Sequence, residues 1–418
     1  MKKISRIAAL ILATILILSV AVGCHKKDEI AYKIGDHEFT SAMYSCVLSI
    51  SASDARSAIK EYLSDDGKST DNIKFEDYKF NDKGEVSKDG TVSYKDYILN
   101  KTMETLKQYV AVEELLKEKN ITVEKDYLEE AKIQASYYWY VGCDYSTYQY
   151  YANYGVDPSS YFSPYATFFE QNGVGFSTYE KYMINEYKYN FLFEKIYGEK
   201  GEKEVPKSEL TEFLNKHYAI ADSIDLSTTD SEGKALTDAK KKEVKEKADK
   251  LAERIKKGEK FDKVYNEYQE SLKATTSSSS STTTSSKTSS VSNSSTSSKV
   301  TSSAATSSGA KEYTPEAYVN VFGDKETTYE NDLFADVYKL EQNAVTVLED
   351  KDSSCYKVLV RRDILKEEYW LKNFRGSIAF TLRQDEFDKT LADKTANVTV
   401  TADEFALKPF TVEKIKFD

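Results

Sequence analysis

Residues 218–271 read YAIADSIDLSTTDSEGKALTDAKKKEVKEKADKLAERIKKGEKFDKVYNEYQES, and the fold turns on what this stretch requires of the rest of the chain. "AIADSIDLST" has the β-branched and alternating texture of a strand, and "TDSEGKALT" is a turn. Val244, Ala248, Leu251 and Ile255 are spaced 4, 3, 4, which predicts a helix that Gly258 ends. Phe261, Val264, Tyr265 and Tyr268 predict a second short helix. The Lys/Glu run "KKKEVKEK" is a solvated helix face. One strand cannot cover two helices, so the stretch is half of something.

The chain continues into a tract, Thr275–Ser308, in which 27 of 34 residues are Ser or Thr. It carries almost nothing that burial could repay against ordering entropy, so it is expected to be disordered. Beyond it, "NDLFADVYKLEQNAVTVLED" reads as a short helix and a turn. "CYKVLVRRDI" reads as a strand, with Val358 and Val360 on one side and Tyr356 and Leu359 toward the other. The order is βαα before the tract and αβ after it. Neither half closes a core alone, and together they make one small α+β unit. The tract is therefore an insertion inside a domain rather than a stalk between two.

Further outward the chain is helical. "IAYKIGDHEFT" predicts a hairpin turning at Gly35-Asp36, and Thr40 caps a following helix. Residues 64–92 are loop-like. Leu99, Met103, Leu106 and Val110 mark a long helix ending at Asn120, and another starts near Thr122. A stretch with ten tyrosines runs from Tyr137 to Tyr165. Ser177 and Glu180 form a capping box for a helix reaching Gly198. "SELTEFLNKHY" is a short helix. A last long helix is expected at about 366–392, and "NVTVTADEFALKPF" closes the chain as strand and tail.

At the N-terminus, Lys2, Lys3 and Arg6 precede the apolar run "IAALILATILILSVAVG", which ends at Cys24. Small residues directly before a cysteine resemble a bacterial lipobox, with Ala21 in place of the commoner Leu. The expectation is cleavage of residues 1–23 and a lipid on Cys24, hence an extracytoplasmic, membrane-anchored protein. Losing those three basic residues takes the formal charge from −11 to −14. Such an acidic chain is poorly suited to nucleic acid. Cys46, Cys143 and Cys355 are odd in number and far apart, and His25, His37 and His217 are the only histidines. No disulfide framework, metal site or cofactor is expected.

The flanks of the tract resemble the two halves of a parvulin-type peptidyl-prolyl isomerase: "A..L..R.K.G..F" within the first half, and "LFADVYKLEQNAVTVLEDKDSSCYKVLVRRDI" for the second. The hairpin and long helices before, with one long helix after, resemble the peptide-binding domain of the PrsA/SurA foldases, lipid-anchored in Gram-positive bacteria. The implied fold class is α+β and mostly helical. A SurA/PrsA-like chaperone domain (24–205 and 364–418) holds an inserted parvulin-like domain (206–273 and 311–363), interrupted by residues 274–310.

The resemblance fails at the family's catalytic pattern. Its first-strand His-Ile-Leu is matched by Ser223-Ile224-Asp225, and its last-strand Gly-Tyr-His by Cys355-Tyr356-Lys357. Its Ala and Ser on the short helix are matched by Tyr265 and Gln269, and the Ser/Thr tract stands where a Gly-rich loop would be. Prolyl rotation faces a barrier of about 18–20 kcal/mol, lowered by an apolar cradle and polar groups on the twisted amide. Lys357 opposes such a cradle, so the chain reads as a chaperone without catalytic residues. The implied partners are unfolded or nascent secreted polypeptides, with homodimerisation through the helical domain as a family possibility. Tyr137, Tyr138, Trp139, Tyr140, Tyr150 and Tyr151 are the candidate contacts, since aromatics offer large amphipathic area at low entropy cost. Two other readings remain open. One is an isomerase with a rebuilt site. The other is a surface lipoprotein binding one fixed partner or wall polymer.

Overall fold

The structure is a computed structural model that describes residues 29–278 and 316–417, apart from 66, 82, 88, 154, 231 and 232. Cys24 and all of the Ser/Thr tract beyond Ser278 lie outside the described residues. The chain divides into two compact units, one running to Lys195 and resuming at Asp385, the other Ile196–Gln384. It is mixed α/β and mostly helical.

The first unit opens with the hairpin β1 (Ile30–Ile34) and β2 (His37–Thr40). Thr40 Oγ1 accepts from the Met43 N–H at 3.2 Å and starts α1 (Ser41–Asp65). Residues 41–49 of α1 are buried on every side, so its small residues Ser41, Ala42, Ser45 and Ser49 let neighbouring elements close around it. A loop follows, tied by the short ladder β3 (Lys79–Phe80) with β4 (Val92–Ser93). Ser93 caps α2 (Tyr94–Glu118) by accepting from the Asp96 N–H at 3.1 Å.

The buried face of α2 is Tyr94, Ile98, Leu106, Tyr109 and Val110, while Leu99 and Met103 of the expected face are only partly buried. Asn120, at φ 53°, ends the turn after it. Then come α3 (Lys125–Tyr140), α4 (Tyr145–Asn153), α5 (Tyr165–Gln171) and α6 (Phe176–Tyr197). The capping box expected at Ser177 does not form the helix start. α6 begins one residue earlier, with the Gly175 carbonyl accepting from Thr178 and Tyr179.

The second unit starts with α7 (Lys207–His217), running straight into β5 (Tyr218–Ser227). α8 (Asp238–Lys256) presents Ala248, Leu251 and Ala252 to the sheet with Val244 and Ile255 beside them, as the spacing predicts. α9 (Phe261–Ser278) is longer than expected and carries the first four residues of the Ser/Thr tract into its last turn. Beyond the tract stand β6 (Val319–Gly323), α10 (Phe334–Tyr338), β7 (Val345–Asp350), β8 (Cys355–Arg362) and α11 (Glu368–Thr395).

The sheet order is β6-β5-β8-β7, all antiparallel. The strand before the tract is thus sandwiched between two strands beyond it. Neither β6 nor β7 is expected from the sequence. "VNVFG" carries no assignment there, and the alternating "VTVLED" falls within a helix and turn. The second unit extends past the expected boundary at 363 because Phe374 of α11 stacks on Tyr218, ring centroids 4.7 Å apart. The chain then re-enters the first unit, where β9 (Val400–Ala402) pairs with β1 and α12 (Glu404–Leu407) comes next.

Candidate functional site

Two regions carry the sequence-predicted residues. The first is one face of the four-stranded sheet. Register places Asp225 opposite Lys357, Ser223 opposite Leu359, and Leu348 opposite Lys357. Period 2 then sends Ala219, Ala221, Ser223 and Asp225 to one face with Lys357 and Leu359. Ile224, Leu226 and Val358 go to the other, under α8 and α9. Tyr356 packs with Val358 on that helix-covered side, contrary to the expected pairing with Leu359. Cys355, Lys357, Val358 and Leu359 are all buried, so no polar alternation was there to see.

On the face away from α8 and α9, Lys357 is 7% exposed. Its Nζ lies 2.6 Å from Asp225 Oδ2 and 3.7 Å from Asp350 Oδ2. The Ser223 hydroxyl donates to the other Asp225 oxygen. Burial pulls the Lys357 ammonium down, but Asp225, by charge and hydrogen bond, pulls it up and prevails. It is therefore a fixed cation at neutral pH, neither base nor nucleophile. Burial pushes the neighbouring Cys355 thiol up to about 12, with Lys357 offsetting only part, so it is an unreactive thiol. Leu333, Val337, Phe322 and Leu359 form a small apolar cluster with Ala219 and Ala221 on the same sheet.

The four resemblance positions are split. Ser223 and Lys357 meet through Asp225. Tyr265 and Gln269 ride on α9, against the opposite face, where Tyr265 packs on Phe261 and Tyr318. Asp350, which holds the second carboxylate, is not recognisable from sequence while its strand goes unassigned; the alternation of Val345 and Val347 is the signal that marks that strand. Chemically the arrangement is an ion cluster around a buried Lys357, open to water at Asp225. Ser223, Asp225 and Lys357 are spent on one another, Asp350 Oδ2 is buried with only the Lys357 charge at 3.7 Å to offset it, and a proline ring would have to displace a buried charge.

The second region lies in the first unit. Gly142 sits at φ 91°, and a Cβ there would meet the Ser163 carbonyl oxygen at 2.2 Å. Only glycine permits this reversal, which folds the end of the tyrosine stretch back on its start, so Tyr138 stacks on Tyr165 at 5.4 Å. Asp144 accepts from the Thr147 N–H and caps α4. Tyr137 touches Tyr145 and Tyr148, and Tyr151 touches Tyr150 and Tyr161. The outer rings are wet: Tyr161 is 64% exposed, Tyr140 63%, Tyr150 43%, Tyr145 42% and Tyr165 40%.

Trp139 corrects the candidate list. It is 2% exposed, packed on Phe169, Phe176 and Tyr179, and is core. Tyr137, Tyr138 and Tyr151 are half-buried. Tyr145, Tyr161 and Tyr165 offer more surface than these, though periodicity does not single them out. Among the described residues, no group of three or more His, Cys, Asp or Glu is placed to hold a metal ion, and no helix is long and apolar enough to cross a membrane.

No protein-family model matches the chain, and no curated protein sequence does. Among solved structures, the foldase protein PrsA from Streptococcus pneumoniae str. Canada MDR_19A is similar at 12% identity and a TM-score of 0.34. That match covers 79% of this chain and 97% of the other.

Proposed function

We propose that this protein is an extracytoplasmic chaperone of the PrsA/SurA type, held to a bacterial membrane by a lipid on Cys24, which binds unfolded secreted polypeptides without isomerising prolyl bonds. The observation that carries this reading is the set of exposed tyrosines backed by a packed Trp139 core. Such rings give a binding surface with little entropy to lose and little demand on partner sequence. The locked Lys357 cluster supports the absence of catalysis. Electrostatic stabilisation of a twisted amide needs polar groups free to meet it, and here Ser223, Asp225 and Lys357 already satisfy each other. The lipobox-like N-terminus supports the location.

The test is paired and uses residues 25–418. Aggregation of a chemically unfolded client should be suppressed at near-stoichiometric ratios, and prolyl isomerisation of a short peptide should run at the spontaneous rate. Proline turnover that disappears in Ser223→Ala or Lys357→Met would overturn the non-catalytic reading. Failure to suppress aggregation would overturn the chaperone reading.

A further inference from the structure

Only residues 25–28 separate Cys24 from Glu29, whose carbonyl accepts from the Ser41 N–H at 2.8 Å and is thereby fixed to the start of α1. Five extended steps from Cys24 to Glu29 reach about 18 Å. That is about the radius of a domain this size. With a lipid on Cys24, as proposed above, the β1 end of the first unit therefore stays close to the bilayer.

At this end stands Phe405, 75% exposed, the most exposed of the large hydrophobic side chains among the described residues. Strand β9 brings it there. Ala402 pairs with Tyr32, and the Asp403 N–H donates to the Ala31 carbonyl at 2.9 Å, so the antiparallel course carries the next residues toward Ile30 and Glu29. Asp403 Oδ1 accepts from the Phe405 N–H at 2.9 Å and from the Ala406 N–H at 3.2 Å, which starts α12. Ala406 is buried, and Leu407 packs on the core with it, so the Phe405 ring is held outward on a fixed turn. Period 2 likewise turns Ile30, 39% exposed, away from the side on which Ala31 is fully buried. Lys408 follows Phe405 at i+3, on the same face of the turn. The Lys414 ammonium sits on the Lys408 carbonyl at 2.8 Å.

We propose that Phe405, with Ile30 at the same end and Lys408 one turn on, is a membrane-contact surface. The ring enters the boundary between headgroups and acyl chains, and the lysine meets anionic headgroups. Lys26 and Lys27, between Cys24 and Glu29, add positive charge at the same end of the chain. Glu404 carries its charge in the same turn, so the contact stays shallow. A lipid on Cys24 alone leaves the first unit free to turn about its tether. The second contact fixes which side faces the bilayer, and the short tether makes it an intramolecular event at high effective concentration. The proposal rests on the lipid at Cys24, which is tested separately from the surface itself.

Mass spectrometry of the chain extracted from cells reads the lipid on Cys24, and its absence overturns the anchored reading. For the surface, residues 24–418 are coupled through Cys24 to a maleimide lipid in phosphatidylglycerol vesicles, so the tether exists whatever the cell attaches. Cys46, Cys143 and Cys355 are buried and stay unlabelled. Phe405→Trp should lose emission when the acyl chains carry bromine. Wild type should not, since its Trp139 and Trp370 are 2% and 4% exposed. With a single-chain lipid, whose anchoring is reversible, Phe405→Ser should pass to acceptor vesicles about fivefold faster than wild type. Unquenched Phe405→Trp emission, or equal transfer of Phe405→Ser and wild type, overturns the proposal. Emission that shifts to the blue without bromine quenching assigns the ring to a protein partner and overturns it too.

Discussion

The tyrosine stretch of the first unit and the Lys357 face of the second are both, by sequence, places where a polypeptide could meet the protein. Their physics is opposite. Around Tyr140 and Tyr161 the rings are held by neighbours on one side and open to water on the other. Around Lys357 the ammonium is buried against Asp225 and Asp350, and only Asp225 reaches water. A surface that is rigid but unsatisfied can gain by binding. A buried ion pair loses its partner's charge when it is opened. On the proposed reading the difference assigns recognition to the first unit and leaves the four-stranded sheet a stability element.

The largest expected effect breaks the tyrosine stretch into its two kinds of ring. Trp139→Ala should cost about 3–5 kcal/mol of stability by leaving a cavity among Phe169, Phe176 and Tyr179. The triple change of Tyr140, Tyr150 and Tyr161 to Ser should shift stability by only about 0.5 kcal/mol per site while sharply weakening client binding. Urea denaturation and client-aggregation assays read the two quantities; a triple variant that holds clients as well as wild type would remove the surface's role.

Next is Lys357→Met, which strands the buried Asp350 carboxylate. The expected loss is about 3 kcal/mol, at the low end for a broken buried pair because Asp225 is half in water. The pH dependence has a definite sign. A lysine held above its ordinary value of 10.5 contributes stability that is complete below that value and is lost as pH rises through the folded one. Wild type should therefore lose stability on the alkaline side, and the variant should lack that limb. Client binding should be unchanged, which sharpens the contrast between the regions.

Smaller is Glu186→Gln. Glu186 lies in the first unit, where burial raises its carboxyl above the usual 4.5; the Tyr109 hydroxyl, donating at 2.7 Å, lowers it in part, and Asp54 adds to the rise. Stability linked to this group is complete below 4.5 and declines as pH rises through the folded value. Glutamine keeps an acceptor for Tyr109 without the charge, so the variant should be more stable at pH 7 by about 1 kcal/mol. The difference should vanish near pH 4, as thermal melts across pH will show. Smallest is halving the Ser/Thr tract, which should change stability by about 0.6 kcal/mol, the cost scale for one doubling of loop length.

Local physics was legible where one element decides it. The β1–β2 hairpin with Gly35, the Thr40 cap, the spacing of Val244, Ala248, Leu251 and Ile255, and the union of both flanks of the tract in one sheet were all readable from residue order. Three things were not. Which tyrosines are wet depends on the Gly142 reversal, which brings Ser163 and Tyr165 against residues more than twenty positions earlier. That Lys357 has a second carboxylate depends on β7 pairing with β8 in the register that brings Asp350 to it. That the tail seats on Asn172 depends on an approach between residues 244 apart. Periodicity tells which side of an element is apolar. It is silent on what covers that side, because covering is set by the packing of distant elements.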